Sequence, residues 1–166
     1  MKELDTYIAI EGPIGVGKTS LAERIADKLN ARKVFEKFEE NPFLKDFYDD
    51  PESNAFQTQV FFLLQRYQQQ QKDIVKPDLI VYLQADTSRL MRNIKKRGRD
   101  FEKHVTQDYI NQVNERYQEF FVNYEEGPLL IINTNNIDFV ENSEDFDNLL
   151  NEIHQPHQGI KYFNPS

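Results

Sequence analysis

Short apolar runs alternate with stretches of helical periodicity along most of this chain. Residues 6–11, 78–85 and 129–134 are predicted to be strands, and so is the short run over residues 32–38. The run over residues 78–85 is almost continuously apolar, which is typical of a parallel strand buried on both faces. The pattern therefore indicates a sheet whose central strands are covered on both sides.

Helical spacing separates these runs. Leu21, Ile25 and Leu29 lie on one face of a helix predicted over residues 20–29. The other predicted helices span residues 43–48, 54–71, 89–96, 106–124 and 143–154, and the tail from residue 155 is predicted to be irregular. Strands that alternate with helices predict an α/β fold, a doubly wound parallel sheet with helices on both faces. The 166 residues suit one domain over residues 1–166.

A glycine-rich loop joins the first strand to the first helix. Residues 12–19 match the phosphate-loop pattern G-x-x-x-x-G-K-[ST] at every fixed position. The glycines let backbone N–H groups turn inward around phosphate oxygens, and the helix presents its N-terminal amides to the same anion. A nucleoside triphosphate with Mg²⁺ is predicted here, with Thr19 as a metal ligand. The predicted nucleotide-binding residues are Gly12, Pro13, Ile14, Gly15, Val16, Gly17, Lys18, Thr19 and Ser20.

Charge and composition narrow the possible functions. The chain has 28 acidic and 20 basic residues, a net charge of −8, so neither nucleic acid nor an anionic membrane is expected as a partner. The absence of cysteine excludes thiolate chemistry. No apolar run approaches the length needed to span a membrane, and we expect a cytoplasmic protein.

Six segments together resemble the deoxynucleoside kinase family, in particular its bacterial deoxyadenosine/deoxyguanosine kinase branch. They are residues 10–19 (IEGPIGVGKT), 35–44 (FEKFEENPFL), 55–59 (AFQTQ), 77–83 (PDLIVYL), 96–102 (KRGRDFE) and 135–139 (NNIDF), in the family's order. The resemblance implies phosphorylation of the 5′-hydroxyl of a deoxynucleoside, most readily a purine one, with ATP and Mg²⁺ in nucleotide salvage. It also implies a homodimer.

The resemblance assigns roles to individual residues. Glu36 matches the family's general base, since transfer to a sugar hydroxyl needs a carboxylate within reach of the attacking O–H. The substrate-binding positions are Tyr48 and Glu102 at the sugar and Gln57 at the base, because an amide both donates and accepts. Lys18, Arg97 and Arg99 match the catalytic cations, the two arginines in a lid whose guanidinium groups suit phosphoryl oxygens. Asp138 and Phe139 resemble the loop that borders the donor adenine.

The chain departs from the family in two places. Where relatives have an arginine one turn before Arg97, this chain has Asn93 with Arg92 beside it, so either Arg92 substitutes or a phosphate contact is lost. Several dozen family residues are also missing near position 71/72, including a strand whose acidic/basic signature supports Mg²⁺. We therefore predict an omitted segment there, an interrupted chain between Gln68 and Asp73, and a gap between the strands at residues 6–11 and 32–38.

Two other functions remain open at this point. A nucleoside monophosphate kinase shares the loop and lid, but it needs a further basic pocket for the acceptor phosphate. A nucleotide-binding module that has lost catalysis with the missing strand would bind nucleotide without turnover. Turnover with deoxynucleosides against monophosphates separates these possibilities.

Overall fold

The computed structural model describes residues 6–35, 76–99, 102–103 and 105–165. The elements in chain order are β1 (Ile8–Glu11), α1 (Lys18–Leu29), β2 (Leu79–Gln84), α2 (Thr87–Arg97), α3 (Gln107–Val122), β3 (Leu129–Asn133), α4 (Ser143–Ile153) and β4 (Ile160–Phe163). The helices predicted over residues 43–48 and 54–71 lie outside the described residues, as does the predicted chain interruption between Gln68 and Asp73.

The four strands form one parallel sheet in the order β1-β2-β3-β4. Ile10 pairs with Val81, Val81 with Leu130, and Leu130 with Lys161. Every residue of β2 except its last is buried, as the continuous apolar run predicted. The predicted α/β fold with a parallel sheet is confirmed.

Alternate strand residues face two different apolar clusters. Val81, Leu83, Leu130 and Ile132 pack with buried residues of all four helices. On the opposite face, Tyr82 stacks on Phe121 of α3 with ring centroids 4.4 Å apart. Burial raises the pKa of the Tyr82 hydroxyl, which finds no hydrogen-bond partner. Both faces of the sheet are therefore covered, as a doubly wound arrangement requires.

Two sequence expectations about strands need correction. The tail expected to be irregular contains β4, which pairs with β3 and follows the positive-φ turn at Gly159 (φ 63°). Residues 32–35, the described part of the strand expected over 32–38, are not strand, and Val34 is 79% exposed. Apolar and β-branched residues favour a strand only where a neighbouring strand pairs with them. Among the described residues, no second strand therefore lies beside β1 on the side away from β2. The expected gap between the strands at residues 6–11 and 32–38 stays a prediction.

Side-chain caps and a glycine in the left-handed region define the ends of three helices. Thr106 caps α3 by accepting from the Tyr109 N–H at 3.2 Å, and Gly98 ends α2 in the left-handed region (φ 64°). Asn142 caps α4, because its side chain accepts from the N–H groups of Glu144 and Asp145. No helix among the described residues combines the length and apolarity that crossing a membrane requires.

Candidate active site

The candidate site lies where the parallel strands end. The carboxyl ends of β1, β2 and β3 meet at one edge of the sheet, where ligands bind in open α/β folds. The phosphate loop follows β1, the first turn of α2 follows β2, and residues 134–142 follow β3. The sequence motifs that were predicted to bind nucleotide are thereby brought to a single edge.

The phosphate loop is packed against the neighbouring strand. Gly12 has φ 149°, and a Cβ there would lie 2.6 Å from the carbonyl oxygen of Leu83 in β2. Only glycine fits at this position, because a strand backbone cannot move aside. Pro13 and Val16 are buried, and the Val16 N–H donates to the Pro13 carbonyl at 3.3 Å. The loop therefore has a defined turn anchored in the core.

Lys18 directs its charge back onto this loop. Its Nζ donates to the carbonyl oxygens of Gly12 at 2.7 Å and Pro13 at 3.2 Å. Thr19 is exposed in the first turn of α1, and Ser20 beside it is half-buried. A cation, a hydroxyl and the amides of a helix N-terminus thus surround the loop, which is the donor set that a polyphosphate with Mg²⁺ requires.

Residues 134–142 form a second wall of the loop. Phe139 is buried, and a Cβ on Gly17 would lie 2.8 Å from its ring, so the phenyl group packs directly on the phosphate loop. The Asp138 carboxylate accepts from the N–H groups of Val140 and Glu141, both at 3.1 Å. Both residues proposed to border the donor adenine therefore also shape this segment of backbone.

Arg97, which was predicted to belong to the lid, is the last residue of α2 and is paired with an acid. Arg97 donates through Nε (3.1 Å) and Nη2 to the two carboxylate oxygens of Glu102. The Glu102 side chain is 2% exposed and that of Arg97 is 36% exposed. Glu102 is held in place by its N–H bond to the Arg99 carbonyl (3.0 Å). A predicted phosphate-binding cation and a predicted sugar-binding acid thus form one forked pair.

Sequence reasoning missed two arginines that hold the wall segment. Arg24 of α1 donates to the carbonyls of Phe139 (2.5 Å) and Val140 (3.0 Å), and its guanidinium lies 4.1 Å from the centre of the Phe146 ring. Arg89 of α2 donates to the carbonyls of Asn135 (2.8 Å) and Ile137 (2.5 Å). Arg24 directly precedes the buried Ile25, and Arg89 directly precedes the buried Leu90. A cation next to the buried face of each helix was the available signal.

Lys96 adds an exposed link to the same wall. Its Nζ lies 2.7 Å from a Glu141 carboxylate oxygen, and this hydrogen bond together with the charge of Glu141 raises the pKa of Lys96. Of the remaining predicted site residues, Arg99 is exposed after the end of α2. Glu36, Tyr48 and Gln57 lie outside the described residues.

Comparisons with known proteins agree with this geometry. A sequence model of the family described as deoxynucleoside kinase matches residues 8–75 and 71–157. The deoxyguanosine kinase of Bacillus subtilis (strain 168) is 29% identical over 193 aligned residues, covering 86% of this chain and 93% of the relative. The deoxyadenosine kinase of Dictyostelium discoideum is 31% identical over 162 residues, covering 69% and 66%.

A solved structure shares the fold. The deoxyadenosine kinase from M. mycoides with bound dATP gives a TM-score of 0.70 at 22% identity, over 89% of this chain and 99% of that one. Parallel sheet and phosphate loop define a nucleotide-binding α/β protein of the phosphate-loop kinase class. The chain belongs to the deoxynucleoside kinase family, since the family's sequence model matches far more than half of its residues. It is an enzyme that phosphorylates deoxynucleosides, as the sequence resemblance predicted.

The Arg97–Glu102 pair should contribute to stability as well as to the site. Arg97→Ala leaves a buried carboxylate without its partner, and we expect the free energy of unfolding to fall by about 1–3 kcal/mol, since Arg97 itself is partly hydrated. The matched control is Arg116→Ala, whose ion pair with Glu119 is 67% exposed on both sides and should contribute about 0–1 kcal/mol. Denaturant unfolding of both variants tests this, and equal losses would contradict it.

Proposed function

We propose that this enzyme transfers a phosphoryl group from ATP, with Mg²⁺, to the 5′-hydroxyl of a purine deoxynucleoside in nucleotide salvage. The observation that carries the proposal is the geometry of the phosphate loop. The loop packs against β2 at Gly12, and the Lys18 ammonium group donates a hydrogen bond to the Gly12 carbonyl oxygen. Family membership supports the acceptor class. Two of the relatives described above, a deoxyguanosine kinase and a deoxyadenosine kinase, support a purine base.

The donor side is proposed to work through charge and backbone amides. Lys18 supplies positive charge beside the loop, and the exposed Thr19 hydroxyl would ligate Mg²⁺. Mg²⁺, when bound, neutralises charge that builds up on the transferring phosphoryl group. Arg99 is the lid residue proposed to contact phosphate. Arg97 instead donates to the Glu102 carboxylate and orients it. The buried Phe139 and the wall segment keep this loop in shape.

The acceptor side is proposed to use Glu36 as general base, with Gln57 at the nucleobase and Tyr48 and Glu102 at the sugar. The Glu102 contacts support its part in this set. Arg97 donates to both of its carboxylate oxygens, which fixes the orientation of a buried acid. A carboxylate held in this way is preorganised to accept a hydrogen bond from a sugar hydroxyl.

A panel of the four deoxynucleosides and their monophosphates with ATP-Mg²⁺ tests the proposed reaction. We expect turnover with deoxyguanosine or deoxyadenosine that exceeds turnover with any monophosphate. Preferred turnover of a monophosphate would contradict the assignment.

The variant Lys18→Ala tests the phosphate loop. It should lower kcat/KM by several orders of magnitude in a folded protein, because the loop loses its cation.

The variant Glu36→Gln tests the proposed general base. It should lower kcat about 10²–10⁴-fold with little change in ATP affinity.

We further propose that the working enzyme carries an internal segment between Gln71 and Lys72. Two findings support this. The two matches to the family overlap at residues 71–75, and the alignment to the Bacillus relative runs over 193 residues while it covers only 86% of the 166 residues of this chain. The relative therefore has several dozen aligned residues without a counterpart here. In the family these include the strand that supports Mg²⁺, so the segment would complete the metal site.

Peptide mapping of the protein from its natural host tests this segment. Trypsin cleaves after Arg66 and Lys72, so an uninterrupted chain releases residues 67–72 as one short peptide. We expect that peptide to be absent and a different peptide to begin at Tyr67. Recovery of the short peptide would show a continuous chain, and we would then expect an enzyme that binds ATP but transfers phosphate poorly.

We also propose that the enzyme is a homodimer. Phe120 and Val122, near the carboxyl end of α3, are 45% and 62% exposed, and this supports a helix-mediated contact. Sedimentation velocity should then give twice the mass of the single chain, as mass spectrometry of the same denatured sample measures it. Phe120→Glu should shift the species toward the monomer, and a monomeric unaltered protein at micromolar concentration would contradict the proposal.

A further inference from the structure

The phosphate loop rests on helix α2 as well as on β2. The Asn93 side chain donates from Nδ2 to the carbonyl oxygen of Gly15 at 2.9 Å. Asn93 is half-buried, whereas its neighbour Arg92 is exposed. The helix therefore presents an amide to the loop at the position where the family pattern has an arginine.

The contact at Gly15 is close enough to exclude a side chain. Gly15 has φ 85°, and a Cβ there would lie 2.8 Å from Ile94 Cγ1 and 3.0 Å from the Leu90 carbonyl oxygen. Ile94 and Leu90 are both buried in α2. The tip of the loop is thus in direct contact with the helix backbone, and the Asn93 bond lies within a packed interface.

The peptide unit between Gly15 and Val16 is held at both of its polar ends. Its carbonyl accepts from Asn93, and its N–H donates to the Pro13 carbonyl at 3.3 Å. A trans peptide is planar, so fixing both ends fixes the orientation of the whole unit. The direction of the neighbouring amides in the loop depends on that orientation.

We propose that Asn93 is a positioning residue for the phosphate donor: it locks the phosphate loop and joins it to the helix that ends in the lid arginines. This inference rests on the proposed ATP-binding role of the loop. Asn93 acts through the Gly15 carbonyl rather than on phosphate itself. Because α2 ends at Arg97 and leads to Arg99, the loop and the base of the lid behave as one preorganised unit.

The variants Asn93→Ala and Asn93→Asp test the proposal. Aspartate keeps the shape but offers no N–H donor, and it adds a negative charge beside the phosphate loop. We expect ATP-Mg²⁺ affinity, measured directly by calorimetry, to fall about 3- to 10-fold for alanine and further for aspartate. Deoxynucleoside affinity should stay within about twofold, and KM for ATP should rise more than kcat falls. The control Lys95→Ala, on the exposed side of α2, should leave all of these unchanged.

Hydrogen exchange provides a readout that does not depend on nucleotide. Amides of Gly12 and of residues 14–17 should exchange faster in nucleotide-free Asn93→Ala than in the unaltered protein, while those of β2 should not change. Unchanged loop exchange together with unchanged ATP affinity would overturn the inference. Equal weakening of both substrates would also overturn it, since that pattern indicates a general packing defect. If the unaltered protein did not bind ATP, the proposed donor would be refuted. The hydrogen-exchange result would then be the test of the role of Asn93.

Discussion

The close approach of Gly12 to the Leu83 carbonyl is the constraint on which the site depends. It requires β1 and β2 to be neighbours in a parallel sheet, and it allows no side chain at the start of the loop. With that backbone contact in place, Val16 enters the core and α1 begins at Lys18. A site for phosphate is thereby made from backbone geometry, and the charged side chains are added around it.

Around this loop, N–H groups of helix side chains hold backbone carbonyls. Arg24 and Arg89 reach from two helices to the segment after β3, and Asn93 does the same for the loop itself. Carbonyl groups outside regular secondary structure need such donors where they are removed from water, because an unpaired buried carbonyl costs about 1–3 kcal/mol. Both walls of the candidate donor site are consequently held by hydrogen bonds from α1 and α2.

The Arg97–Glu102 pair connects the two halves of the proposed reaction. One partner comes from the lid pattern and the other from the proposed sugar site, and a forked bond sets their relative orientation. Only a change that displaces the carboxyl end of α2 itself would therefore reach the acid on the acceptor side, and the loss of the Asn93 bond to the phosphate loop leaves that end in place.

The fold class, the phosphate loop and the family could be predicted from the sequence. Strand runs, helix faces and the motif over residues 12–19 depend on neighbours within a few positions, so their physics is local. The pairing of β4, the irregular course of residues 31–35 and the bond from Asn93 to Gly15 were decided only by the tertiary structure. Gly15 and Asn93 are 78 positions apart, and Arg24 and Phe139 are 115 apart. Contacts over such distances exist because the parallel sheet gathers the carboxyl ends of its strands at one edge, and no local pattern records which side chains will meet there.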